Sequence, residues 1–179
     1  MSKFIIKNFV DLDDVKEMCE LDKVNYEIDN QVSFEICKTW YKKNPLIYTA
    51  IFRDEELIGY INFMPISDQL YNNFVNGKIP EQSINPKDIL VMKPGKSYYC
   101  LFSSVVIRED YKNSEAFLML MTTFYRNMKT KLSRENITIK SIIADCVNKK
   151  MEKFVKDSGF KQVFKNKDYN IYEGNVFWN

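Results

Sequence analysis

The stretch VVIREDYKNSEAF, residues 105–117, decides how the chain reads: a run of β-branched residues stops at charges and a helical pattern begins. A strand that turns straight into a helix exposes the unpaired first-turn N–H groups of that helix, and the macrodipole favours an anion there. Phosphate cradles of this kind are usually glycine-rich, yet this stretch holds no glycine. The residues alone leave three readings open: a cradle, a decayed cradle or a plain turn.

Its surroundings extend the pattern in both directions. KSYYCLFSSVVIRE (96–109) is the longest β-run and is apolar on both faces, as a central strand should be. Phe117, Leu120, Met121, Phe124, Met128 and Leu132 then keep helical register, which predicts a helix from about 113 to 134. SIIADCV (141–147) reads as a buried strand, KKMEKFVKDSGF (149–160) as a helix closed by Gly159, and VF with YNIYEGNVFW as a terminal hairpin.

Upstream, KFIIKNFV (3–10) predicts a strand, and Asp11 caps a helix whose apolar stripe is Leu12, Val15, Cys19 and Val24. A second helix starts at Ser33, carries Phe34, Cys37, Trp40 and Tyr41 on one face, and ends before Pro45. LIYTAIFR (46–53) and ELIGYINFMPI (56–66) form a hairpin by spacing, joined by Asp54 and Glu55 rather than by the favoured Asn-Gly. Between 67 and 95 the pattern breaks into a short helix-like SDQLYNNFVNG and a proline-punctuated loop, the kind of excursion that walls a site.

Composition narrows the classes. A chain of 179 residues suits one well-buried domain, here read as 1–179, and 45% apolar with 28% charged residues is globular rather than disordered. Its 26 basic residues are scattered among 24 acidic ones, so a net charge of +2 argues against nucleic acid as a partner. Four cysteines without a CxxC pair, mostly inside apolar patterns, read as reduced buried thiols. With no signal-peptide pattern and no apolar run long enough for a membrane span, a soluble cytoplasmic protein without membrane contacts is expected. The Asn136-Ile137-Thr138 sequon then carries no glycan, and many Lys, Ile and Asn residues point to a bacterial, AT-rich genome.

Histidine is absent, which removes Ser-His-Asp and Cys-His catalysis and His-ligated metals together. No metal site is expected. Any catalysis must draw on Tyr, Cys, Lys, carboxylates, backbone or water.

The order β α α β β, insert, β α β α β β, with the turn at 105–117 and the N-x-x-M-x-x-F-V-x-x-x-G-F spacing from Asn148 to Phe160, resembles the GCN5-related N-acetyltransferase (GNAT) superfamily. The resemblance spans essentially the whole chain. That family's helix entry reads Q/R-x-x-G-x-G/A; here Lys112 holds the basic position, with Glu115 and Phe117 where glycines are expected. In the second signature Asn148, Gly159 and Phe160 match, while Met151, Phe154 and Val155 replace Ala, Leu and Tyr.

What the resemblance implies is an α/β (α+β) domain with a mixed, mostly antiparallel twisted sheet, flanked by helices and splayed at its central strands. Acetyl-CoA is the implied co-substrate. Its pantetheine would pair with backbone at Val105, Val106 and Ile107, and its pyrophosphate would meet Lys112, Asn113, Ser114, Glu115, Ala116 and Phe117. An amine, on a small molecule or a peptide, would attack the thioester directly, in a monomer or a homodimer.

The family's acidic tyrosine falls at Val155, and Ser103 and Ser104 lie where its strand glutamate often sits. Three replacements come forward, each beside a plainer role. Tyr98 and Tyr99 offer phenols or pack as sheet aromatics. Cys146 faces a thioester or is a small hydrophobe. Asn148 contacts pantetheine or caps a helix. Two function classes follow: an acyl-CoA-dependent N-acyltransferase, and a catalytically inactive module of the same fold that binds ligands or partners.

Overall fold

The structure, a computed structural model, describes residues 3–165 and 170–174. In chain order the elements are β1 (Phe4–Lys7), α1 (Leu12–Asn25), α2 (Phe34–Lys43), β2 (Tyr48–Arg53), β3 (Glu56–Ile66) and α3 (Asp68–Val75). β4 (Ser97–Ile107), α4 (Ala116–Glu135), β5 (Thr138–Cys146), α5 (Lys149–Asp157), β6 (Lys161–Lys165) and β7 (Asn170–Gly174) follow. The strands form one sheet in the order β1-β2-β3-β4-β5-β7-β6. β4 and β5 run parallel, whereas β1/β2, β2/β3, β5/β7 and β6/β7 are antiparallel, so the expected mixed, mostly antiparallel architecture is present.

The chain divides into two compact units, Met1–Phe63 with Ser104–Met128 and Met64–Ser103 with Lys129–Asn179. In the first, Asp11 caps α1 by accepting the N–H groups of Asp13 and Asp14, and the Asp14 carboxylate accepts the Asp11 N–H in return. This reciprocal box satisfies donors that water would otherwise hold. Val15, Met18 and Cys19 carry the buried stripe of α1, and Cys37 with Trp40 that of α2. β3 is buried from Leu57 onward, which fits a strand with neighbours on both edges.

The turn between β2 and β3 holds Asp54 at φ 50° and Glu55 at φ 70°, both in the left-handed region that Asn-Gly normally fills. Replacing Glu55 with glycine relieves that conformation and is expected to stabilise the protein by about 1 kcal/mol, net of glycine's extra freedom when unfolded. Urea denaturation reads this directly, and a midpoint that stays put or falls refutes the turn geometry.

In the second unit α5 ends as expected: Gly159 has φ 87°, its N–H reaches Lys156 O, and Phe160 N–H reaches Val155 O. The end of α4 uses the same device without glycine, since Asn136 sits at φ 50° and Ile137 N–H bonds Leu132 O. Asn136 therefore has a backbone role that the sequon pattern does not convey. Glycine is needed for space at Gly77, where a Cβ would lie 2.0 Å from the Phe164 ring.

Several boundaries differ from the sequence expectation for physical reasons. The first strand stops at Lys7 rather than residue 10, because Asp11 must break away to cap α1. β2 begins at Tyr48 rather than 46: Pro45–Ile47 form a 3-10 turn, capped by Asn44 accepting Leu46 N–H at 3.0 Å. β5 begins at Thr138 rather than 141, because Thr138 and Ile139 pair with Ser97 and Tyr98 despite the polar surface they share with Lys140. α4 begins at Ala116 rather than 113, since Glu109–Tyr111 make a 3-10 turn first. The predicted terminal hairpin is β6 with β7; residues 166–169 and 175–179 lie outside the described residues.

Candidate functional site

β4 pairs with β5 from Ser97↔Thr138 to Phe102↔Ala144, and beyond that register β4 continues alone on that edge to Ile107. On its other edge the strand end is tied down, as Arg108 N–H bonds Ile58 O at 2.8 Å. Val105 is half-buried, and Val106 and Ile107 are buried. Gly59 makes this close approach possible: a Cβ there would fall 2.4 Å from Ile107 Cδ1 and 2.5 Å from Val106 O. The carbonyl is backbone and cannot swing aside, so Gly59→Ala is expected to cost about 1–3 kcal/mol by overpacking. A thermal melt indistinguishable from wild type would refute this contact.

After Ile107 the chain makes the 3-10 turn and then four irregular residues before α4. Here the donors can be counted. Lys112 N–H bonds Glu109 O, Ser114 N–H bonds Tyr111 O, and Ala116 N–H bonds Ser114 Oγ at 3.2 Å. The N–H groups of Asn113, Glu115 and Leu118 meet no acceptor among the described residues. Lys112, Asn113, Ser114 and Glu115 are exposed or half-exposed, Ala116 is buried and Phe117 is half-buried. Donors for an anion are therefore present without glycine, because the donors are main-chain groups.

The charges around this turn are paired. The Arg108 guanidinium meets Asp110 through two nitrogens at 2.8 and 2.6 Å and Glu56 at 3.1 Å, which holds the Asp110 carboxyl below its usual range. Lys112 Nζ meets Glu109. The Tyr111 ring lies 5.2 Å from Arg108 Cζ and 5.6 Å from Arg53 Cζ, so cations from two strands brace the turn. The Lys112–Glu109 pair is exposed, and an exposed pair contributes at most about 1 kcal/mol, so an arriving anion can take the lysine over.

The residues predicted from sequence fall in different places. The ten cofactor positions include nine on the run from Val105 to Phe117, while Asn148 stands apart as the cap of α5, accepting Met151 N–H at 2.9 Å. That cap engages its carbonyl oxygen. Tyr98 and Tyr99 open β4, at the opposite end of that strand from Val105. The Tyr98 hydroxyl accepts from Lys93 N–H at 2.8 Å and donates to Val91 O at 3.3 Å, pinning the preceding loop. Tyr99 stacks on Tyr71 of α3, with ring centroids 3.8 Å apart, beneath Lys140 Nζ.

Cys146 ends β5 and is 1% exposed. Burial, aided by Asp145, pushes its thiol up to about 12, so it is neutral at physiological pH and a poor nucleophile. Asp145 beside it is a group to which the sequence assigns no role. Its Oδ1 is buried without a hydrogen-bond partner, and burial pushes the carboxyl to about 7.

A second missed residue is Glu81, from the excursion, whose carboxylate accepts a hydrogen bond from Ser103 Oγ on β4. A carboxylate thus reaches one of the two serines that occupy the expected glutamate position. Its separation of 22 residues in sequence left no local signal.

No protein-family model matches this chain, and no curated protein matches it either. Solved structures do. The loading GNATL domain of CurA from Lyngbya majuscula superposes with a TM-score of 0.64 at 12% identity, over 97% of this chain and 98% of that one. NAA60 from Arabidopsis thaliana, solved with acetyl-CoA, gives 0.62 at 11% identity over 96% and 97%. Diaminobutyrate acetyltransferase EctA from Paenibacillus lautus, in complex with L-2,4-diaminobutyric acid and coenzyme A, gives 0.59 at 10% identity over 100% and 98%. Identities this low speak to the fold alone.

Proposed function

This chain has the GNAT fold, and from that we propose that it is an acyl-CoA-dependent N-acyltransferase that passes acetyl from acetyl-CoA directly to an amine of a small molecule or a peptide. The observation that carries the reading is the turn before α4, where Asn113, Glu115 and Leu118 present unpaired N–H groups at a helix N-terminus directly after the unpaired edge of β4. Residues 112–117 would hold the pyrophosphate and the backbone of Val105–Ile107 the pantetheine. CoA-bound relatives of the same fold support this assignment.

Bound acetyl-CoA supplies the activated acyl group. The chain's own part is to orient it, to donate N–H groups to the developing oxyanion, and to accept a proton from the amine. Backbone donors serve the oxyanion without any particular side chain.

A second reading, a domain of this fold that binds without catalysis, is favoured by one observation. Val155, at the position of the family's tyrosine, is 3% exposed and bears no acidic group. A thermal-shift titration tests the first reading. Acetyl-CoA at about 100 times its dissociation constant stabilises by about 2.7 kcal/mol, which raises Tm by several degrees. No shift at millimolar acetyl-CoA refutes the acyltransferase. A shift without CoA release in a mixture of primary amines selects the binding module instead.

A further inference from the structure

The first unit buries polar groups where an apolar core would be simpler. Asp22 of α1, Tyr48 of β2, and Tyr60 and Asn62 of β3 are 6%, 2%, 3% and 3% exposed. Tyr48 stands opposite Asn62 in the strand register, and Tyr60 lies two residues before Asn62, so all three project from the same face. The two tyrosine rings are 6.5 Å apart. Tyr60 Oη lies 2.7 Å from each carboxylate oxygen of Asp22, within reach of both although it has one proton to give.

Beyond Tyr60 comes Ser104, on β4. It hydrogen-bonds the phenol in the sense of a donor, holding the Tyr60 pKa down while burial and the nearby Asp22 and Tyr26 push it up. The direction is therefore set along the whole chain of groups: Ser104 donates to Tyr60, and Tyr60 donates to Asp22. Tyr48 Oη and Asn62 Oδ1, on the same face, reach no hydrogen-bond partner. Each such orphan costs about 1–3 kcal/mol, which a purely structural tie between α1 and β3 has no reason to incur.

We propose that Ser104, Tyr60 and Asp22 form a proton relay that receives the proton released when the acceptor amine is acylated, with Asp22 as its terminus. This rests on the acyltransferase reading, because Ser104 immediately precedes the Val105–Ile107 backbone to which that reading assigns pantetheine. As the amine nitrogen bonds the thioester carbon, its proton passes to Ser104 Oγ. The Ser104 proton moves to Tyr60 Oη, and the Tyr60 proton moves to Asp22, which becomes a neutral carboxylic acid. The C–S bond breaks with its electron pair on sulfur, and the CoA thiolate takes a proton from water. Asp22 then returns its proton to solvent along the same path.

Burial suits Asp22 to this end point. It pushes the carboxyl to about 7, against the opposing pull of the Tyr60 hydrogen bond, so the group both accepts and releases a proton near neutrality. The titratable groups acting on the cluster are Tyr26 and Cys19 of the α1 segment, Cys37 of α2, Tyr48 of β2 and Tyr60 of β3. Among the described residues none of these is a cation, so no salt bridge competes for the carboxylate.

The test uses the full chain and the variants Ser104→Ala, Tyr60→Phe and Asp22→Asn. Calorimetry with acetyl-CoA comes first, followed by CoA release with a mixture of primary amines as a function of pH. Wild type is expected to show a kcat that rises through a limb near pH 7, set by Asp22 ionisation. Each variant should keep acetyl-CoA affinity, lose roughly 100-fold in kcat and lose that limb. Ser104→Ala decides the matter if the other two fail to fold, because it leaves the Asp22–Tyr60 bond intact. Wild-type kcat with an unchanged limb in Ser104→Ala overturns the relay while the acyltransferase stands. Wild type that neither binds nor consumes acetyl-CoA overturns the acyltransferase and the relay with it.

Discussion

Asp145→Asn is expected to raise stability at about pH 8 by roughly 2–4 kcal/mol, a large gain for a single substitution. Asp145 sits on β5, paired by backbone with Ile171 of β7, and its carboxyl is buried with Oδ1 unpartnered. The folded protein holds its proton up to about pH 7, whereas the unfolded chain releases it near pH 4. Between those values the unfolded state binds fewer protons, so folding stability falls as pH rises. The contribution is fully present below about pH 4 and gone above about pH 7. Asparagine keeps the shape and removes the charge.

Asp22, also held near 7 by burial, contributes a slope of the same sign, so Asp145→Asn should reduce the pH dependence rather than erase it. Urea denaturation of both proteins from about pH 4 to 8 reads the two slopes. An unchanged slope, or lower stability at the alkaline end, means that Asp145 has a charge partner in solution.

Lys112→Glu is expected to weaken acetyl-CoA binding by at least about 100-fold, equivalent to about 2.7 kcal/mol. The pyrophosphate would approach exposed N–H groups in a turn whose lysine, Lys112, is shared with Glu109. Reversing that charge removes an attraction and adds a repulsion, and each unit charge about 5 Å away is worth about 3 kcal/mol near a protein surface before salt screening. Isothermal calorimetry separates this from damage to the fold, because Lys112 is on the surface and the melting temperature without ligand should not move. Undiminished binding would place the pyrophosphate elsewhere.

Elements with strong local signals were legible in the residues. The α5 cap at Asn148, its stop at Gly159 and the span of β3 at 56–66 follow from side-chain chemistry and periodicity within a few positions. The run at 105–117 showed the strand-to-helix turn, but not that α4 waits until Ala116, because a 3-10 turn and an α-turn share the same residue preferences. Tyr98 illustrates the opposite limit. As a phenol beside a loop it read as a candidate acid, and only its two backbone partners, Lys93 and Val91, show its hydroxyl committed to holding that loop.

Periodicity, caps and the absence of histidine settled the order of elements, the fold and the classes of chemistry left open, since each of these depends on neighbours along the chain. Burial of carboxyls did not yield to the same reading. Asp22 and Asp145 look like ordinary surface acids in sequence, and their pKa values near 7 come from the elements that close over them. The pairing of Asp22 with Tyr60, 38 positions away, and of Glu81 with Ser103 likewise needs the sheet to bring distant segments together. The turn that opened the question kept its place as the expected anion site, and packing showed which of its N–H groups are left to serve it: those of Asn113, Glu115 and Leu118.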